Sequence, residues 1–142
     1  IVNTNISTLE ILKLQLEIIK EKKYKSIFFA GIGYKPNTPS LESSFVLDLI
    51  NYCKKINLDV YYYDRYITEM INYGRRVADL KDFEKYSKII FLPYIDRQFN
   101  KIKNNNGVIW DIWYQINGRN VIRNCKELKL KEESNLRYLK NK

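Results

Sequence analysis

The chain has 142 residues, carries 25 Lys/Arg against 16 Asp/Glu for a formal charge of +9, and has no histidine. That length suits one domain, which buries roughly two thirds of the surface its unfolded chain exposes. The missing imidazole excludes Ser-His and Cys-His nucleophile pairs, and two isolated cysteines, Cys53 and Cys125, exclude the usual zinc sets.

Leu9, Leu12, Leu16 and Ile19 recur at three- and four-residue steps and predict an amphipathic helix over Ser7 to Lys23, with Thr4, Asn5 and Ser7 available as caps. Ile27 to Ala30 is apolar throughout, as a strand buried on both faces would be. Leu41, Phe45, Leu49 and Tyr52/Cys53 then hold helical period to Lys55. Asp59 to Tyr63 predicts a second strand, Tyr66 to Tyr73 and Asp79 to Tyr86 short helices, and Lys88 to Leu92 a third strand. A short helix over Asp96 to Lys103, the turn-prone Asn104-Asn105-Asn106-Gly107 and a fourth strand over Val108 to Trp113 follow. From about Asn117 the pattern fades into a mixed-charge end, expected as a peripheral strand or helix and a frayed tail. No internal repeat is visible. Strands alternating with helices predict a single α/β domain, an open parallel sheet with right-handed crossovers and helices on both faces.

The charge excess is +6 over residues 101–142 and +3 over residues 1–100, so it does not form one groove-sized stripe, and nucleic acid is not the expected partner. Unpaired cysteines in apolar patterns suit a reducing compartment, the cytoplasm, and the short apolar runs imply no membrane span. The start at Ile1, without Met, is expected of a piece of a longer chain.

Between the first strand and the next helix lies AGIGYKPNTPSLESS, residues 30–44. In parallel sheets this is where ligands bind, beside helix N-termini that attract anions. Gly31 and Gly33 allow a sharp turn and a close approach of the backbone. Pro36 keeps Lys35 out of helical geometry. Thr38 followed by Pro39, or Ser40 followed by Glu42, would start the helix around Pro39 to Leu41. The same residues also serve as plain strand-to-helix punctuation. They are not a dinucleotide fingerprint: the third glycine is missing, and Asp64 falls 31 residues after Gly33, where a ribose-binding acid is expected about 20 on. NAD is therefore not expected in this domain.

GIGYKPNTPSLESS followed by FVLDLINYCKKINLDVYYYD resembles the C-terminal, UDP-sugar-binding domain of the UDP-glucose/GDP-mannose dehydrogenase family. That family's run is close to G-L-x-[FY]-K-P-x-T-D-D-x-R-E-S, then a helix and a strand ending V-x-x-Y-D-P. Gly31, Tyr34, Lys35, Pro36, Asn37, Thr38, Leu41, Ser44 and Asp64 match it. DLKDFEKYSKIIFL and GVIWDIW resemble the next helix-strand unit and the final core strand, so the likeness runs from about residue 24 to residue 114. The family's acidic pair falls at Pro39 and Ser40, its Arg-Glu at Glu42 and Ser43, and an arginine near the last strand at Trp113. These departures remove a charge cluster.

The resemblance implies a Rossmann-like domain over residues 24–116, with 1–23 a helical connection from a preceding domain and 117–142 a basic C-terminal extension. It implies that Gly31, Gly33, Tyr34 and Lys35 face a nucleotide sugar, with no catalytic or metal residue in this chain. NAD and the catalytic cysteine would lie in preceding domains of a parent enzyme, an NAD-dependent UDP-sugar 6-dehydrogenase of polysaccharide biosynthesis. Expected partners are a UDP-sugar and those preceding domains, with a homodimer left open. The alternative is a degenerate Rossmann-like module, kept for assembly or protein interaction and without ligand. Cys53 and Cys125 read as core or surface thiols in either case.

Overall fold

A computed structural model of the chain describes residues 6–33, 35, 41 and 44–129. Two α-helices, α1 (Ile6–Glu21) and α2 (Phe45–Lys55), are joined by six strands: β1 (Ser26–Phe29), β2 (Asp59–Tyr62), β3 (Arg75–Arg76), β4 (Ile89–Phe91), β5 (Val108–Trp110) and β6 (Val121–Ile122). Every pairing is parallel and the strand order is β3-β2-β1-β4-β5-β6. The chain winds outward from β1 to β3 and then crosses to β4 on the other side of β1. This places a topological switch point, the usual ligand position in such sheets, between β1 and β4. The fold is the α/β Rossmann-like open sheet expected from the alternation of elements.

The central strands β1, β4 and β5 are buried at successive positions because both faces are covered. Tyr62, Phe29, Phe91 and Trp110 are register partners from strand to strand, with ring centroids 5.7 Å apart for Phe29–Phe91 and 4.4 Å for Phe91–Trp110. This row shares its core with Leu12, Leu16 and Ile19 of α1 and Val46, Leu49 and Cys53 of α2. On the other face Phe28, Ile90 and Ile109 meet Leu80, Phe83 and Phe99, which come from two 3₁₀ helices, Leu80–Lys85 and Arg97–Lys101. Truncating one of these buried rings to alanine costs about 3–5 kcal/mol. The Trp110 indole Nε1 is buried with no hydrogen-bond partner among the described residues, so in this row Trp110 contributes as an apolar surface.

Both α-helices stop in the same way. The N–H of Lys23 donates to Lys20 (3.0 Å) and that of Tyr24 to Ile19 (3.3 Å), while Asn57 donates to Lys54 (3.2 Å) and Leu58 to Cys53 (2.9 Å). Lys23 (φ 70°) and Asn57 (φ 61°) take the left-handed conformation that this cap requires, and each releases the chain into the next strand.

Three expectations are corrected. The helix after the first strand begins at Phe45 rather than around Pro39 to Leu41; Thr38, Pro39, Ser40 and Glu42, named as its start, lie outside the described residues. Residues 66–73 form bends and irregular coil instead of a helix: the Asp64 carboxylate caps the N–H groups of Tyr66 and Ile67 at 2.8 Å each, but Arg76 takes the carbonyls of Ile67 and Glu69, the acceptors a continuing helix would use. The segments expected as helices over 79–86 and 96–103 are the two 3₁₀ helices, capped by Asp79 and Asp96. The fading end contributes the edge strand β6 and a 3₁₀ turn, Cys125–Glu127, whose first N–H donates to Gln15 of α1.

Candidate functional site

The carboxyl ends of β1, β2, β4 and β5 are joined by a polar network that starts at Ile32. Its N–H donates to Asp64 Oδ2 at 2.8 Å, and its carbonyl accepts from the Ser44 hydroxyl. Ser44 stands at the N-cap of α2, yet its side chain makes no cap bond. Its hydroxyl is committed to the loop, which is what delays the helix to Phe45. The loop leaving β1 is thus clamped between the end of β2 and the start of α2. Arg76 finishes the clamp on the far side, donating to the carbonyls of Ile67 (2.9 Å) and Glu69 (3.0 Å) while its guanidinium lies 5.1 Å from the Tyr62 ring centre.

Tyr94, three residues beyond the end of β4, folds over Gly31. A Cβ on Gly31 would lie 2.8 Å from Tyr94 Cζ and closer still to its hydroxyl, and Gly31 needs no left-handed φ. Glycine is required here for the approach of a ring. Burial, followed by the charges of Asp64 and Asp96, raises the Tyr94 phenol well above its ordinary value, so it is a neutral hydroxyl. Asp96 links three loops: its carboxylate accepts from the Gln98 N–H (3.1 Å) and the Tyr66 hydroxyl (3.2 Å), and its own N–H donates to Gln115 Oε1 (3.1 Å). Gln115 also donates to the Tyr94 carbonyl at 2.8 Å.

At the end of β5 the fully buried Asp111 accepts from the N–H groups of Trp113 (3.0 Å), Gln115 (2.8 Å) and Ile116 (2.8 Å) and pairs with Arg123 at 3.2 Å. The turn this creates leaves Trp113 and Tyr114 exposed, with Arg123 4.6 Å from the Tyr114 ring centre. The aspartates at this edge therefore hold loops. Among the described residues, exposed charge in the loops leaving β1, β2 and β4 comes from Lys35, Arg65 and Arg97, opposed by Glu69. That balance favours an anionic ligand.

Of the residues singled out in the sequence, Gly31 and Gly33 are buried at the exit of β1 and Lys35 is exposed, with no ion pair among the described residues. Tyr34 lies outside the described residues. Both cysteines are buried free thiols: burial pushes Cys53 up to about 12 and raises Cys125 likewise. Tyr94, Asp96 and Gln115 were missed, and the signal for them was weak: an acid two residues before Gln98 is a cap signature, but nothing local ties Tyr94 to Gly31. Asp64 closes the β2 side of the site, 31 residues after Gly33, where a ribose acid would stand about 20 on. Its carboxylate already accepts three backbone N–H bonds, so these residues do not fit NAD.

No family model matches the chain, and no curated protein matches it. Solved structures do. A UDP-glucose dehydrogenase from Pyrobaculum islandicum superposes with a TM-score of 0.68 at 15% identity, covering 79% of this chain and 28% of its own. A UDP-N-acetyl-mannosamine dehydrogenase from Staphylococcus aureus gives 0.64 at 16%, covering 83% and 30%. A GDP-mannose dehydrogenase from Pseudomonas aeruginosa gives 0.63 at 14%, covering 80% and 31%. The chain shares its fold with part of the sugar-nucleotide dehydrogenases. It spans under a third of the length of these dehydrogenases. Among the described residues, no helix is long and apolar enough to cross a membrane.

Proposed function

We propose that this chain is the nucleotide-sugar-binding, C-terminal portion of an NAD-dependent UDP-sugar dehydrogenase. In the parent enzyme, NAD and the catalytic cysteine would belong to preceding domains. Its setting would be the cytoplasm and its product a uronate for polysaccharide. The observation that carries the reading is the position of GIGYKP: it leaves β1 beside the switch point, with Lys35 exposed and without an ion pair among the described residues. Lysine supplies a point charge for diphosphate or sugar oxygens, and Tyr34 beside it supplies a ring to pack on a sugar or base. Titrating the 142-residue chain with UDP and UDP-sugars, followed by amide NMR, tests it. Shifts confined to Gly31–Lys35 and the loop after β4 support the reading; none there at millimolar ligand overturns binding by this chain.

A second reading, a module retained for assembly, is favoured by α1, which exposes Ile11 and Leu14 at 58% each on the helix side away from Leu12 and Leu16. A concentration-independent monomer in light scattering removes it.

A further inference from the structure

At the opposite edge of the sheet, where β1 and β4 begin side by side, the segments 23–26 and 84–88 enclose a cavity of about 360 Å³, within the range of small-molecule sites, about 300–1,000 Å³. Its walls are tied to each other: the Ser26 hydroxyl donates to the Tyr86 carbonyl at 3.1 Å, and the Ser87 hydroxyl to the Ser26 carbonyl at 3.0 Å. Lys23, Lys25, Lys85 and Lys88 line it, all exposed. Lys85 meets Asp82 at 3.7 Å, while the other three have no ion pair among the described residues. The carboxylate in the lining, Glu84, is already engaged by the N–H groups of Asn105 (2.8 Å), Asn106 (3.0 Å) and Gly107 (2.7 Å). Four lysines from two short segments therefore line one hollow, whose carboxylate, Glu84, is held by backbone N–H groups.

We propose that this hollow is a second anion site, separate from the loop after β1, and that it takes a polyphosphate: pyrophosphate, tripolyphosphate or the phosphate end of a nucleoside triphosphate. The serine hydroxyls are spent on tying the walls, so recognition rests on ammonium charges, which respond to the number of charges more than to their geometry. Affinity therefore rises from phosphate to pyrophosphate to tripolyphosphate and is indifferent to the base. A nucleic acid or an acidic protein would call for charge spread over a broad face, whereas here four lysines stand within nine lining residues.

Titration of the full chain with tripolyphosphate, read by amide NMR, tests this. Expected are shifts at residues 23–26 and 84–88, in the stated order of affinity, fading as salt rises from about 20 to about 200 mM. Replacing Lys25 and Lys88 together by alanine weakens binding about tenfold, while replacing the exposed Lys126 and Lys129 leaves it unchanged. Both altered side chains are exposed, and an unchanged thermal midpoint verifies the fold of the variant. The proposal is overturned by the absence of localised shifts, by unchanged binding in the Lys25/Lys88 variant, or by shifts spread over all lysines with an RNA oligomer bound more tightly. UDP shifts at Gly31–Lys35 are independent of every one of these outcomes.

Discussion

Asp64 at the end of β2 is matched by Asp111 at the end of β5. Each carboxylate turns back onto its own loop, to the N–H groups of Tyr66 and Ile67 in one case and of Trp113, Gln115 and Ile116 in the other. Twelve residues on stands an arginine, Arg76 or Arg123, with Nη1 3.4 Å from the aspartate carbonyl and Nη2 2.9 Å from a further loop carbonyl, Ile67 or Ile116. Both flanks of the sheet are thus built from one recurring unit of strand, aspartate, loop and arginine-bearing edge.

Replacing Asp64 by asparagine leaves one oxygen for N–H donors now served by two, and sets an amide against the rest. The expected cost is about 2–3 kcal/mol. Asp111→Asn costs more, because the Arg123 ion pair is lost as well. Urea unfolding checks both: the midpoint falls at constant slope, and an Asp111→Asn midpoint no lower than that of Asp64→Asn contradicts the prediction.

Gly31→Ala drives a methyl into the Tyr94 ring and costs about 1–3 kcal/mol. Tyr94→Phe removes the atom that stands nearest to that methyl. In the Tyr94→Phe background the cost of Gly31→Ala should be smaller, a non-additivity that a double-mutant cycle measures. Simple additivity would remove the contact from the account.

These cases mark what could be read from sequence. β1, β2, β4 and β5 were legible because strands covered on both faces are apolar without interruption. β3 was not: Arg75 and Arg76 pair through backbone alone, and Arg76 spends its side chain on loop carbonyls and the Tyr62 ring. The 66–73 segment has apolar residues at helical steps, but its Ile67 and Glu69 carbonyls are taken by Arg76 of the edge strand that follows. The candidate loop was visible through its glycines and lysine. That the space beside Gly31 belongs to Tyr94 depends on a contact across more than sixty residues of chain, which no local pattern encodes.

Lys23→Gly should stabilise the chain by about 0.5–1 kcal/mol, since a left-handed φ strains lysine more than it costs to fix a glycine. Asn57→Gly gains less, because asparagine tolerates that conformation. Thermal midpoints of the two variants give the comparison, and an equal or reversed ranking counts against it.

Glu84 carries the pH dependence. Burial alone would raise its pKa, but the N–H groups of Asn105, Gly107 and Asn106, with Lys88, outweigh it and leave the value below the ordinary 4.5. The native state therefore keeps this carboxylate ionised where the unfolded chain is already protonated. Its stabilisation is present above 4.5 and is lost as pH falls through the lower native value. The stability gap between wild type and Glu84→Gln should be widest at neutral pH and shrink in acid; a constant gap would show that proton linkage is not its source.

Lys35→Ala, in the parent enzyme, should weaken substrate binding by about 1.5–3 kcal/mol with little change in melting temperature. Unchanged affinity with a lowered melting temperature would instead make Lys35 a structural residue.

Asp111 draws its donors from within residues 113–123, whereas Asp64 reaches across the sheet to Ile32. The two flanks therefore differ in autonomy. The β5–β6 flank closes its turn around Asp111 with its own atoms and meets the loop after β4 through the side chain of Gln115. The exit of β1 has no such independence: its Ile32 peptide is held by residues of the β2 flank and of the α2 entry, so a force applied to one is felt by all three. Whatever seats itself on that loop grips a joint between segments far apart in sequence.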